Sequence, residues 1–328
     1  MYRWLVVVLA VVATTSACTA RERGAAAPTA TTAAPPTAAP PTTAAGCTPG
    51  RTHAAGQTSE TFAGGRTYVL YVPAGYTGDR PVPVVFEFHG HGSSAGAQVV
   101  YGDFRGLADR DGFVVVAPDG LVTAADPGRH FNLFEASATE ADDVAFTVSL
   151  LDHLSSVLCV DRRRVYATGM SNGGAMSSAL ACRAADRFAA IGPVAVVLYL
   201  PQCSGAARPV PVAGFAGTAD PVVPYDGGRV NCCNNPVLPS APKSMADFAA
   251  HNGCTGSPVE TRPSPSVLVR RWSAGCKDGA VVDFYTIEGG GHTWPGAAVK
   301  PPTLGVTTDE INATEVLWAF FRDHPMPA

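Results

Sequence analysis

Apolar and polar positions alternate from Arg66 to Val72 (RTYVLYV), the pattern of a strand with one buried face. Val82–Phe88, Phe113–Ala117 and Val165–Thr168 are instead almost unbroken apolar runs, as expected of strands covered on both faces. Between and after them the period lengthens. Helices are predicted over Ala97–Ala108, Asp142–Leu158 and Asn172–Ala185. In the second, Val144, Val148, Leu151, Leu154 and Leu158 share one face, behind acidic residues at its start. Further along come a strand at Val210–Phe215, a helix near Ser244–Asn252, strands at Val267–Trp272 and Val281–Ile287, and a helix near Asp309–Phe321. Strands alternating with helices predict an α/β fold: a mostly parallel central sheet, helices on both faces, one domain over residues 47–328.

The N-terminus follows another pattern. Arg3 precedes the apolar run Trp4–Ala13 and the small residues Thr14-Thr15-Ser16-Ala17. Such a run is too short to span a bilayer and has the layout of a secretory signal, here residues 1–17. Thr15-Ser16-Ala17-Cys18 is similar to a bacterial lipobox, with Thr15 where an aliphatic residue is usual. Cys18 is therefore a candidate for lipidation, and cleavage with free release is the alternative. Residues 25–45 are all Ala, Thr or Pro, within a segment 18–46 read as a disordered tether. Its prolines favour extended chain, so about 20 residues reach roughly 60 Å.

Composition narrows the function. The 328 residues include 23 Lys+Arg against 27 Asp+Glu, and 15% charged residues leave no basic excess for nucleic acid. Nine cysteines point to an oxidising compartment; setting Cys18 aside leaves an even number available for disulfides. Vicinal cysteines such as Cys232 and Cys233 are expected to pair with distant partners.

Two copies of G-x-S-x-G compete for a nucleophile. Gly169-Met170-Ser171-Asn172-Gly173 lies directly between a buried strand and an Ala-rich helix, the context a nucleophile elbow needs. Ser94, in Gly92-Ser93-Ser94-Ala95-Gly96, lies further beyond its strand and reads as part of a small-residue loop. Ser171 is the predicted nucleophile. Phe88-His89-Gly90-His91-Gly92 stands where an oxyanion loop belongs, so the backbone N–H groups of His91 and Asn172 are the expected donors. His89 and His91, separated by one glycine, make a poor metal site without further ligands, and neither metal nor cofactor is expected. Asp220 follows the Val210–Phe215 strand and His292 follows the Val281–Ile287 strand, giving the chain order Ser, acid, His. Asp220 lies closer to its strand end than the competing Asp226 and is easier to hold rigidly. Asp119, in Pro118-Asp119-Gly120, reads as a turn residue.

With these residues in place, the chain resembles secreted esterases grouped as polyhydroxybutyrate depolymerases and feruloyl or acetylxylan esterases, members of the α/β-hydrolase superfamily. The resemblance runs from about Arg66 to Phe321. It rests on FHGHG at 88–92, APDG at 117–120, DDVAF at 142–146, RVYATGMSNGGAM at 164–176, GTADPVVPY at 217–225 and GGGHTWPG at 289–296. It implies a triad of Ser171, Asp220 and His292, and a disulfide between Cys254 and Cys276. Cys182–Cys203 is a further candidate pair. His89, Tyr225 and Trp294 are candidates for substrate contact; Phe134 is another aromatic that core packing explains equally well. A polymer-binding segment such as polyester depolymerases append is not seen, which favours soluble or oligomeric esters over insoluble polyester. The expectation is a monomeric serine carboxylester hydrolase acting on hydroxyalkanoate, feruloyl, acetyl or other short-chain esters, meeting a membrane only through a lipid anchor. An acyltransferase or peptidase on this fold, and a non-catalytic glycan- or lipid-binding lipoprotein, are the alternatives.

Overall fold

A computed structural model describes Cys47 and residues 51–124, 126–137 and 140–327. The expected signal and tether, with the lipidation candidate Cys18, lie outside the described residues. Among the described residues twelve strands occur in chain order: β1 (Gly56–Phe62), β2 (Arg66–Val72), β3 (Val82–Phe88), β4 (Val114–Pro118), β5 (Val160–Met170), β6 (Ala190–Val194), β7 (Val212–Gly217), β8 (Gly228–Arg229), β9 (Val237–Leu238), β10 (Val259–Ser264), β11 (Val267–Trp272) and β12 (Val282–Ile287). The helices are α1 (Ala95–Tyr101), α2 (Arg105–Asp111), α3 (Asp143–Val157), α4 (Asn172–Arg183), α5 (Ala241–His251) and α6 (Ala313–Asp323).

Ten strands form one sheet in the order β1-β2-β4-β3-β5-β6-β7-β12-β11-β10; β8 and β9 form a separate hairpin. The six strands from β4 to β12 pair in parallel, and an antiparallel pair closes each edge. The unbroken apolar runs are these central strands. In β3, Val84, Phe86 and Phe88 pack on one side with Leu150, Leu154, Met176 and Leu180 of α3 and α4, while Val85 packs on the other with Phe113, Trp318 and Phe321. Parallel strands all point their C-terminal ends the same way, so β3, β5, β7 and β12 deliver their following loops to one edge.

Several bounds differ from the expected ones. The single helix expected over Ala97–Ala108 is two, broken at Gly102–Phe104, where Asp103 adopts φ 41°. Gly102 stands where a side chain would collide with the buried Glu87 carboxyl. The last helix starts at Ala313 rather than Asp309, because Asn312 caps it by accepting the Glu315 N–H at 3.1 Å. Strands β6 and β10 had no clear sequence signal. Gly192-Pro193 interrupts β6, and β10 (VETRPS) is an exposed edge strand whose proline coincides with a register shift.

The disulfides Cys47–Cys159, Cys182–Cys203 and Cys254–Cys276 join separate parts of the chain. Cys232 and Cys233, expected to seek distant partners, are bonded to each other. Their turn places three successive residues in the left-handed region (Cys233 φ 56°, Asn234 φ 63°, Asn235 φ 50°), which brings the neighbouring sulfurs together.

Candidate active site

Strand β5 ends at Met170 and α4 begins at Asn172, leaving Ser171 as the whole connection. Its backbone has φ 56° and ψ −118°, a region that costs a non-glycine residue about 1–3 kcal/mol. The turn is pinned on both sides: the Ser171 N–H donates to the Val194 carbonyl at 2.9 Å, and the Ala175 N–H to the Ser171 carbonyl at 3.0 Å. The flanking glycines are required by space. A Cβ on Gly169 or Gly173 would strike the Phe88 carbonyl, and one on Gly174 would meet the carbonyls of Val194 and Val196 at 2.8 Å. Ser94 has another task, since its hydroxyl caps α1 by accepting the Ala97 N–H at 3.3 Å.

The loops after β7 and β12 emerge side by side, because Gly217 and Ile287 are register partners at the strand ends. They are stitched together by Thr218 N–H to the Ile287 carbonyl (2.9 Å), Ala219 N–H to the Gly290 carbonyl (2.9 Å) and Gly289 N–H to the Thr218 hydroxyl (2.8 Å). This sets Asp220 against His292, with 2.7 Å between Asp220 Oδ2 and His292 Nδ1. Both side chains are buried. Asp220 Oδ1 accepts the N–H groups of Val222 and Val223, each at 2.8 Å, which fixes the carboxylate plane. Asp226 lies exposed on the surface.

The loop after β3 runs beside Ser171. A Cβ on Gly90 would lie 3.4 Å from the Ser171 Cβ, and His91 lines the same cavity as the serine. Asn172 opens α4, where the first amide N–H groups have no helical acceptor. The Asn172 side chain, a role missed in the sequence, brackets Phe131: Oδ1 accepts its N–H at 2.8 Å and Nδ2 donates to its carbonyl at 3.1 Å.

The three residues expected to touch substrate do not line the cleft. His89 is fully buried beneath the loop: Gly120 N–H donates to Nε2 at 3.0 Å, so Nδ1 carries the proton and donates to the Gly90 carbonyl at 2.7 Å. It shapes the oxyanion loop from below. Trp294 is also fully buried, its backbone N–H on the Tyr101 hydroxyl and its indole N–H on Thr314, both at 3.0 Å; it anchors the His292 loop to the core. Tyr225 stacks on Phe284 and shares a 2.8 Å hydrogen bond with Thr286. Phe134 is exposed, at 52%. Asp119 is more than a turn residue, since it accepts the Ala95 N–H at 2.9 Å and the Thr67 hydroxyl at 2.7 Å, tying α1 to the sheet edge.

Burial pushes the His89 imidazole down to about 4. The folded chain therefore keeps it neutral where an unfolded chain, with a histidine pKa near 6.5, takes up a proton. Stability from this group is complete above pH 6.5 and is lost as pH falls through 6.5 towards 4, by about 3 kcal/mol. Urea unfolding at pH 7 and pH 4.5 checks this. The wild-type chain is expected to lose more stability between the two than His89→Asn does.

Two chambers open at Ser171. The larger, about 660 Å³, is walled mainly by Val100, Tyr101, Val222, Val299, Pro301 and Leu304, and includes His292. The smaller, about 290 Å³, carries Asp126, His130 and Glu140 beside Leu133, Leu198 and Val230. Donor atoms of His91, Asp126 and His130 lie within 4.8 Å of one another, a spacing a cation could use. Their existing bonds argue against it. His91 Nε2 lies 2.9 Å and 3.0 Å from the Asp126 oxygens. His130 turns Nδ1 to the Gly128 carbonyl (2.8 Å) and Nε2 to Glu140 (3.2 Å). Two acceptors are satisfied together only by the imidazolium, which has no lone pair for a metal. Burial alone would lower the His130 pKa, but the Gly128 carbonyl and the carboxylates of Glu140 and Asp126 outweigh it and hold it above the ordinary value.

A family-wide sequence profile described as Esterase PHB depolymerase matches residues 66–242, more than half of the chain and including the serine elbow. The chain belongs to this esterase family. With it, the chain joins the carboxylic ester hydrolases. Feruloyl esterase C of Emericella nidulans is 33% identical over 264 residues, covering 78% of this chain and 84% of that protein. Feruloyl esterase B of Piromyces equi is 35% identical over 234 residues, covering 69% of this chain; the chain spans only 42% of that protein's length. Among solved structures, an acetyl xylan esterase from Aspergillus awamori superposes with a TM-score of 0.54 at 14% identity, over 72% of this chain and 94% of that one. That likeness is one of fold, the α/β-hydrolase fold.

Proposed function

We propose that this family member is a serine carboxylester hydrolase working through an acyl-Ser171 intermediate. The observation that carries the reading is the buried Asp220–His292 pair, whose histidine lines one cavity with Ser171. With Nδ1 committed to Asp220, His292 offers Nε2 as the base that takes the Ser171 proton as the oxygen attacks the ester carbonyl. The N–H groups of His91 and Asn172 receive the developing oxyanion; such a donor typically contributes about 3–4 kcal/mol of barrier lowering. His292 then gives its proton to the leaving alcohol, and water, activated by the same imidazole, releases the acid.

The larger chamber is apolar and lacks a fixed charge among its walls, which suits an uncharged acyl or aryl group; the smaller, with Asp126 and Glu140, suits a hydroxylated alcohol. Feruloyl, acetyl or hydroxyalkanoate esters of polyols fit that division. The test is a panel of methyl ferulate, acetylated xylan and hydroxybutyrate oligomers, beside p-nitrophenyl acetate and butyrate. Turnover of at least one ester, with labelling by a fluorophosphonate, is expected; failure of both overturns the reading.

Export is part of the proposal. Four disulfides support an oxidising compartment, and no helix among the described residues is long and apolar enough to cross a membrane. Attachment would then come through lipidated Cys18, or the chain would be released; the mass of the mature protein distinguishes the two.

A further inference from the structure

The two chambers share four lining residues: His91, Ser171, Cys232 and Cys233. The first two belong to the proposed chemistry. The other two are the disulfide between sequence neighbours, and its placement needs its own reason. Cys47–Cys159 closes a loop with a separation of 112 residues, a constraint that stabilises by restricting the unfolded chain. A bond between adjacent residues closes almost no loop, so global stability is not what it supplies.

What it supplies is local rigidity at the waist of the cleft. Cys233, Asn234 and Asn235 stand in succession in the left-handed region, which asparagine adopts more readily than other non-glycine residues. Hydrogen bonds hold the turn: Asn235 N–H to the Cys232 carbonyl, Val230 N–H to the Pro236 carbonyl and Asn231 N–H to the Val222 carbonyl, all at 2.8 Å. The last of these, with Asn231 Nδ2 on the Pro221 carbonyl at 3.0 Å, ties the turn to the segment that carries Asp220. The sulfur pair is thus mounted on the same rigid loop system as the acid, and it borders both chambers.

We propose that the Cys232–Cys233 disulfide is a specificity-determining partition. It is a stiff apolar wall at the point where the chambers meet, setting the width through which an ester passes with its acyl part in one chamber and its alcohol in the other. This rests on the esterase reading for the substrate class, but the wall acts through binding and is measured there. Without the bond the two side chains rotate independently, the left-handed turn relaxes and the wall no longer presents one surface. Bulky aryl esters, which fill the chamber up to the wall, lose more than small esters.

Two measurements test this. In the first, methyl ferulate binding is followed by calorimetry in the Ser171→Ala chain, with and without Cys232→Ser/Cys233→Ser. The dissociation constant is expected to rise about tenfold; an unchanged value overturns the proposal. In the second, the ratio of kcat/KM for methyl ferulate to that for methyl acetate is compared between the wild-type chain and the double variant. A ratio taken within one preparation is independent of the fraction folded, so partial loss of fold does not imitate the effect. A tenfold fall is expected. An unchanged ratio, or an equal fall in Cys254→Ser/Cys276→Ser, overturns the proposal, and Cys232→Ala/Cys233→Ala replaces the serine variant if that one does not fold. If the wild-type chain hydrolyses neither ester, the esterase reading is what fails, and the binding measurement still decides the partition.

Discussion

Ser171→Ala is expected to lower kcat by about 10⁴–10⁶-fold and to abolish fluorophosphonate labelling, while the melting temperature stays within a few degrees of wild type. The two halves of this expectation come from different atoms. Catalysis needs the hydroxyl, because among the described residues that line both chambers Ser171 alone carries an oxygen nucleophile. The fold needs only the backbone, since the turn is held by main-chain bonds from Ser171 to Val194 and from Ala175 to Ser171. Alanine keeps the Cβ and pays the same left-handed penalty. Measured beside Ser94→Ala, the comparison also separates the two G-x-S-x-G copies. Loss of the Ser94 hydroxyl removes a helix cap, worth about 1 kcal/mol, and is expected to lower stability without lowering kcat. Full activity in Ser171→Ala would remove the serine from the mechanism.

The placements that the sequence pattern anticipated, Ser171 in a strand–turn–helix elbow and Asp220 beside His292, were the ones local context could identify. Ser171 was readable because an elbow needs a strand, a tight turn and a helix in immediate succession, with glycines where carbonyls approach. Those are features of one short segment. Asp220 and His292 were readable because parallel strands send their loops to one edge, so a polar residue just past an apolar run lands near others like it. The misassigned residues were those whose role depends on what lies above or below them. His89 and His91 are separated by one glycine, yet one is sealed under the loop and the other faces the cleft. Trp294 sits two residues from His292, which makes it a candidate for substrate contact by sequence; its indole N–H finds Thr314 on α6, a partner sequence distance conceals. Strands β6 and β10 were hidden for a related reason, since a buried Gly-Pro and an exposed polar edge both belong to the sheet through pairing rather than through pattern. The vicinal disulfide was misjudged because statistics of pairing say nothing of a turn that holds three successive residues at positive φ.

Asp220→Asn is the second large effect, and it separates orientation from architecture. Asparagine has the size of aspartate, and its Oδ1 can still accept the N–H groups of Val222 and Val223, so the loop keeps its buried bonds. Asp220→Ala would leave both of those donors unpaired, at about 1–3 kcal/mol each, and would confuse lost activity with lost fold. What asparagine changes is the group facing His292. The carboxylate oxygen at 2.7 Å accepts a hydrogen bond from the Nδ1–H, which keeps the proton on Nδ1 and leaves Nε2 bare for Ser171. An amide NH₂ in that place donates instead, so Nδ1 becomes the acceptor and the proton moves to Nε2, the position that must be empty for a base. The imidazolium formed during attack also loses its counter-charge. Together these are expected to reduce kcat by about 10⁴-fold, or about 5 kcal/mol of barrier, with the unfolding midpoint in urea little changed. A variant that keeps kcat within tenfold of wild type would show that Asp220 does not set the tautomer of His292, whatever its proximity. A variant that loses activity and stability in proportion would show that the carboxylate serves the loop rather than the reaction.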